Sequence, residues 1–393
     1  MAGAIVSLLV IGTAGQYAVG GEPDVADRPT QGSSLRTAVP PPARSAPSNQ
    51  AATLRARAMD GLTALTTRDG GADPRYFEDG VWVHDQAPCF RCDVGPGVAA
   101  AALGALSGDE RLKAMAIRTM DSAVQHHRLN TGAYGPPAGG ETGPDIQTMF
   151  FAVHLGLTLH ILGTSLDSAH RIAWTDALRA ATDFLVRNGN FTWYTNGNIS
   201  LGNAVVAGIT AAATGQQRYA DIYDEGLAFA LDPPQSRWPG RGLILTRQPA
   251  AADGADGAGY LTETAGNGPP GFDADYTQTQ ADFAAILALV TADPRAIRLT
   301  NLLANQLLPR VDRTTWLLDT SSGSRHPDQH RTAPFTTCAA AVLAAHGRND
   351  LVSLVDNQVA FIGTAFAESG GYTNVGMYQL WGSRMAPTLM VVR

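Results

Sequence analysis

Lysine is nearly absent from this chain. Lys113 is the only one in 393 residues, so arginine carries almost all of the positive charge. With 28 basic and 35 acidic side chains the formal net charge is −7. That balance excludes a general nucleic-acid binder, which needs a basic surface, although it leaves room for a local basic cleft. There are only three cysteines, too few for a disulfide-stapled scaffold. No nucleotide-binding glycine loop, HExxH zinc helix, EF-hand loop or GxSxG elbow occurs, so no cofactor is expected and no metal ligands are assigned.

What the chain has in abundance is alanine and glycine, arranged in a repeat. Five stretches share one design: a small-residue apolar helix, a tight polar turn, then a more polar helix. They begin GVAAAALGALSG, TMFFAVHLGLTLHILG, NAVVAGITAAATG, ADFAAILALVTA and FTTCAAAVLAAHG. Gly108, Gly163, Gly215, Ala292 and Gly347 occupy equivalent turns at a spacing of roughly 50 to 55 residues, except where Pro233–Asp275 lengthens one interval. The first helix of each pair is apolar nearly all round, as a buried helix must be. The second alternates charged and apolar residues, as in Arg171–Arg187 and Arg298–Leu308, which suits an outer layer with one wet face. The pattern predicts an all-α fold, an (α/α)6-type toroid of helical hairpins. A helix at Gln50–Thr67 supplies a further element, Tyr372–Arg393 closes the ring, and a small β-hairpin forms from Gly242–Thr246 and Gly259–Thr264 in the long insertion.

Three regions follow. Residues 1–26 contain an apolar run, Ala2–Ala18, with no charge before Glu22. Its centre, Ile5–Ile11, is short for a membrane span and resembles the core of a secretory signal. The basic start of such a signal is missing, so an uncleaved anchor or a truncated start is the alternative. Residues 27–48, with PPPARSAPS, form a linker, and residues 49–393 the toroid domain. The expectation is a secreted protein with no stable membrane span beyond that N-terminal segment. Cys89 and Cys92, in CFRC, are then expected to form a local disulfide. A redox pair would want a βαβ context, and zinc would want further ligands nearby.

In a ring of hairpins the short turns lie on one face and the long connections on the other, and chemistry belongs with the long connections. Those loops carry Tyr134, Glu141, Asp145 and Gln147; Trp193, Tyr194, Asn196, Asn198 and Asn203; Asp273, Asp275, Tyr276, Gln278 and Gln280; Arg325, His326, His330 and Arg331; and Tyr372 and Asn374. An upstream loop adds Trp82. Aromatic faces beside amide and carboxylate groups suit sugar rings, whose C–H faces are apolar and whose rims are hydroxylated. The plainer reading is that Asn and Gly in NGNFTWYTNGN are turn residues and that Asp145 caps a helix. The partner expected is therefore a polysaccharide or oligosaccharide and not a nucleic acid.

The run Asp273–Gln280, GFDADYTQTQ in context, resembles the Asp-x-x-Tyr-x-Gln helix starts of toroidal polysaccharide lyases. The Asn-rich run Asn188–Asn203 and the loop Arg325–Arg331 are similar to the asparagine- and arginine-bearing segments of that class. The resemblance spans roughly residues 50–393. It lacks the Asn-Asn-His motif, a histidine at Gln278 or Gln280, and the C-terminal β-sandwiches of the largest lyases. It implies β-elimination from a uronic-acid glycan. Asn196, Asn198 or Asn203, with Gln278, would neutralise the carboxylate. Tyr276 would serve as base and acid, its pKa lowered by Arg325, His326, His330 or Arg331. A glycoside hydrolase on the same ring would instead use Asp145 with Asp273 or Asp275, Glu141 in reserve. In the enzyme readings Trp193, Tyr194, Tyr134, Tyr372 and Trp82, with Gln147, Gln278, Gln280, His330 and Asn374, would bind the substrate; a non-catalytic glycan-binding protein would use the aromatics without acids, bases or focused cations.

Overall fold

The structure is a computed structural model. It describes residue 56 and residues 94–135, 143–194, 196–232, 242–264, 270–313, 317–325, 327, 332–334, 337–355 and 386–391. Helices dominate and alternate in character along the chain. They are α1 (Gly95–Ser107), α2 (Glu110–His126), α3 (Pro144–Leu162), α4 (Ser168–Arg187), α5 (Gly197–Thr214), α6 (Gln217–Leu231), α7 (Ala274–Thr291), α8 (Pro294–Leu307), α9 (Thr337–Ala345) and α10 (Ala386–Val391).

The odd-numbered helices pack in sequence: α1 on α3, α3 on α5, α5 on α7 and α7 on α9. Then α9 packs on α10, and α10 returns to α1. The ring is closed, as the repeat predicts. Each of α2, α4, α6 and α8 lies outside the inner helix that precedes it. Helix α5 is buried from Gly197 through Thr210, whereas α8 buries only a stripe built on Ala296, Leu299, Leu303 and Leu307 with their neighbours. Helix α3 is apolar and long enough to cross a membrane, but it lies buried inside the ring.

Small residues let the inner helices touch. A Cβ at Gly156 would overlap Ile209, and one at Gly202 would overlap Met149 while lying 3.0 Å from Phe283. The hairpins reverse through residues of positive φ at all five turns read from the sequence. Their φ values are 74° at Gly108, 49° at Gly163, 65° at Gly215, 55° at Ala292 and 100° at Gly347. Outer helices then start on aspartates: Asp109, Asp167 and Asp293 each accept a hydrogen bond from a first-turn backbone N–H.

The insertion between α6 and α7 carries the expected hairpin, β1 (Leu243–Arg247) and β2 (Ala258–Leu261). Its antiparallel register pairs Leu243 with Leu261 and Leu245 with Gly259, and a bulge follows Leu245. Its loop is tied to the outer layer. Asn305 Nδ2 donates to the carbonyls of Ala255 (2.9 Å) and Gly257 (2.7 Å), and Arg348 Nη1 donates to the Ala255 carbonyl (3.4 Å). A second pair, β3 (Leu317–Asp319) and β4 (Thr332–Pro334), lies in a segment read from sequence as loop. Three-residue strands carry too little alternation to register as a pattern.

The turns yield a paired test. Ala292 has a Cβ in the left-handed region, whereas a Cβ at Gly215 would meet nothing within 4 Å. Ala292→Gly should raise stability by about 1 kcal/mol and Gly215→Ala should lower it by about 1 kcal/mol. Opposite shifts of Tm in thermal unfolding are the expected result; shifts of the same sign would show that backbone strain is not what these turns share.

Candidate functional site

Short turns close each hairpin at the C-terminal end of its inner helix, so the inner helices run in one direction. Their N-termini share the face of the long connections. The hairpin insertion brings a carboxyl group into this face that the sequence reading did not single out. Glu263 follows β2 and has no exposed surface. Its backbone exchanges two hydrogen bonds of 2.9 Å with Gly271. Just before it, the Thr262 carbonyl accepts from the N–H of Gly197, at the first position of α5, at 2.9 Å. Glycine is required there, since a Cβ would lie 2.5 Å from that of Leu261.

Within this enclosure Glu263 Oε1 accepts from the Asn198 backbone N–H at 2.7 Å and from Gln280 Nε2 at 2.9 Å. Oε2 has no hydrogen-bond partner among the described residues. Burial pushes the carboxyl up to about 8, against the pull of the Arg325 charge and the two hydrogen bonds. Near neutrality Glu263 is therefore largely a carboxylic acid. Four more buried oxygens on the neighbouring segments lack partners among the described residues: Asn198 Oδ1 in the first turn of α5, Thr262 Oγ1 beside Glu263 in the chain, and Thr277 Oγ1 and Gln278 Oε1 near the start of α7. Buried polar atoms are normally satisfied, so these exceptions call for polar partners that the described residues do not supply.

The start of α7 holds the cation. Asp273 is buried and caps the helix, Oδ1 accepting from the N–H groups of Asp275 (3.1 Å) and Tyr276 (3.2 Å). Its Oδ2 accepts from the Arg325 N–H at 3.0 Å. Asp273 thus holds two backbone segments together. The Arg325 guanidinium lies 4.6 Å from the centre of the Tyr276 ring, donates to Tyr276 Oη at 3.3 Å and donates to the Thr264 carbonyl at 2.8 Å. Burial raises the Tyr276 phenol, and the Arg325 charge opposes this without reversing it. The lowered phenol expected from the sequence is not the state found. Gln278 Nε2 donates to Asp275 Oδ1 at 3.1 Å, and Asn196 Oδ1 accepts from Thr264 Oγ1 at 2.8 Å.

On the α3 side Tyr194 donates its hydroxyl to Asp145 Oδ2 and stacks on Trp193 at 4.2 Å between ring centres. Burial, then the Asp145 charge, pushes the Tyr194 hydroxyl up. Asp145 lies in the first turn of α3, whose N-cap is Gly143 with no side-chain cap, so Asp145 does not cap that helix. Trp193 is 40% exposed and can offer an edge to a ligand. Tyr134 is a wall of the core: it is fully buried against Phe151, 4.6 Å between ring centres, and burial pushes its hydroxyl to about 12. Gln147 is buried beside Gly135. Trp82, Cys89, Cys92, Glu141, His326, His330, Arg331, Tyr372 and Asn374 lie outside the described residues. The structure therefore gathers Asn196, Asn198, Asp273, Asp275, Tyr276, Gln278, Gln280 and Arg325 around Glu263, and pairs Asp145 with Tyr194.

No protein-family model matches the sequence, and no curated protein matches it. Solved structures are similar in fold. A structure named UGL with dGlcA-Glc-Rha-Glc aligns at TM-score 0.50 and 12% identity, over 87% of this chain and 95% of that one. The unsaturated glucuronyl hydrolase of Bacillus sp. GL1, described as responsible for the degradation of glycosaminoglycan, aligns at TM-score 0.49 with 12% identity, covering 87% of this chain and 95% of its own. A D-mannose isomerase aligns at 0.49 with 13% identity, covering 87% and 99%. The chain has the fold of the α/α toroid enzymes, as its repeat predicts.

Burial of Glu263 has a consequence for stability. Its folded value of about 8 lies above the ordinary 4.5, so between those pH values the folded state holds a proton that the unfolded state has lost. Stability is greatest below pH 4.5 and declines as pH rises through the window to about 8, by on the order of 1.4 kcal/mol per unit for this group. Glu263→Gln keeps the shape and cannot ionise. Its Tm should exceed that of the unaltered protein by an amount that grows between pH 5 and pH 8. A constant offset would show that Glu263 is not held protonated.

Proposed function

We propose that this protein is a carbohydrate-active enzyme that hydrolyses glycosidic bonds, with Glu263 as the proton donor. The observation that carries the reading is the state of that side chain: a buried carboxylic acid whose Oε2, like amide and hydroxyl oxygens on the neighbouring segments, has no partner among the described residues. A carboxyl group tuned to remain protonated near pH 7 is suited to general acid catalysis. Glu263 would give its proton to the departing glycosidic oxygen as the bond to the anomeric carbon breaks. Water would add to that carbon and lose its proton to a second carboxylate, Asp275 or Asp145. Asp273 is a poorer base because it is engaged in capping α7 and in holding the Arg325 backbone. Trp193 and Tyr194 would flank a sugar at the rim, while Asn198, Gln278 and the two threonine hydroxyls would bind its polar edge. The apolar N-terminal run favours action on glycans outside the cell.

β-Elimination is the second reading, and the contact of Arg325 with Tyr276 favours it. A raised phenol can donate a proton to a leaving oxygen, but it is a poor base for the sugar C5 proton. The two reactions leave different products. Incubation with a panel of neutral and uronate glycans should release reducing ends without an ultraviolet-absorbing unsaturated sugar, at a rate that falls as pH rises through about 8. Glu263→Gln should lower the rate by roughly 10²- to 10⁴-fold, while Tyr276→Phe should cost less. An unsaturated product, with Tyr276→Phe inactive and Glu263→Gln active, would move the assignment to a lyase. Binding without turnover across the panel would leave a glycan-binding protein.

A further inference from the structure

Gln280 is expected from the sequence to bind substrate, but its hydrogen bonds leave it no donor to bind with. It is fully buried on the inner helix α7. Its Nε2 has two protons: one goes to the Leu261 carbonyl at 3.1 Å, the other to Glu263 Oε1 at 2.9 Å. Its Oε1 accepts from the Leu261 N–H at 3.2 Å. The carboxamide therefore pairs with the backbone of β2 as a neighbouring strand would. Both donors are spent and the acceptor is engaged.

Glu263 Oε1 accepts a second bond, from the Asn198 N–H at 2.7 Å. With both acceptor positions of Oε1 occupied by N–H donors, a proton on this carboxyl has to sit on Oε2. That is the oxygen without a partner among the described residues. We infer that Gln280 is a positioning residue: it fixes the Glu263 side chain to the end of β2 and reserves Oε1, so that the transferable proton is carried on Oε2. The inference rests on the reading of Glu263 as the acid.

The charged and titratable groups that act on Glu263 and on its neighbour Tyr276 come from the other elements packed here: Arg325 from the loop before β4, and Asp273, Asp275 and Tyr276 from the start of α7. None of them is altered by a change at position 280. Gln280→Leu removes one donor to Oε1, and a donor to a carboxylate favours its ionised form.

The test reads the carboxyl directly. The full chain is labelled with glutamate carrying 13C in the side-chain carboxyl, and the resonance missing from Glu263→Gln identifies Glu263. In the unaltered protein this resonance should titrate with a midpoint near 8. In Gln280→Leu the midpoint should move upward, and kcat on any glycan cleaved should fall by on the order of tenfold with KM changed less than about twofold. Gln280→Met, which keeps the length of the side chain, replaces Gln280→Leu if the latter does not fold. A third measurement needs no variant: the Gln280 side-chain amide resonances should shift with the same midpoint as the Glu263 carboxyl. An amide signal flat across the titration, or a Glu263 midpoint unmoved in a folded variant, would overturn the inference. If no glycan is cleaved, the hydrolase reading fails on its own, and the two titrations still decide the role of Gln280.

Discussion

At Gly202 a Cβ would overlap the Met149 thioether of α3 and lie 3.0 Å from the Phe283 ring of α7, so α5 sits between its neighbours with no room for a side chain unless Met149 moves. Close approach of this kind is the constraint from which the rest follows. Helices that receive a neighbour's side chains this close to the backbone are rich in alanine and glycine, and such helices have no wet face, so a second layer has to cover them. Covering each inner helix with the outer helix that follows sends the chain back to its starting end. Every inner helix must then run the same way. The face of long connections is thus a by-product of packing, and it collects the first turns of α3, α5 and α7 before any chemistry is specified.

The ring does not supply the acid. Glu263 arrives on an inserted hairpin held at both ends: Asn305 and Arg348 fasten its loop to the outer layer, and Gly197 and Gln280 fasten its last strand to the inner one. The rigid ring and the insertion divide the work. The ring provides apolar walls that raise the carboxyl, and the insertion decides where the carboxyl sits. Arg325 and Asp273 tie a third connection into the same place. The cation there keeps company with a phenol and a carbonyl and makes no ion pair with Glu263 among the described residues, so burial governs that carboxyl.

The fold was legible because its signals recur. Five tight turns, small-residue inner helices and more polar outer helices repeat with one period, and each instance strengthens the others. Ala292 could be placed as a turn only because four glycines mark the equivalent positions. The site was legible as a neighbourhood and less so in its roles. Asn198, Tyr276, Gln278 and Arg325 lie on connections that the repeat assigns to one face. Glu263 carries no such mark: it is one acid in GYLTETAG, at the end of a four-residue strand, and only its burial makes it unusual. Gln280 and Asp273 looked available for substrate because amides and carboxylates are polar. Their use in clamping β2 and capping α7 depends on partners far away in the sequence.

Parallel inner helices also give the molecule two electrical length scales. The whole chain carries a formal net charge of −7, which an approaching anion feels from a distance. Within the candidate face, Arg325 and the first-turn amides of α5 are local positive charges, set beside the carboxylates Asp145, Asp273 and Asp275. A Debye length of about 10 Å at 0.1 M salt hides the distant repulsion while leaving fields at contact range nearly intact. For an anionic glycan, ionic strength then acts with opposite signs on approach and on capture. Encounter quickens as dilute buffer gains salt, and only more concentrated salt loosens the bound state. A neutral glycan would be indifferent to both.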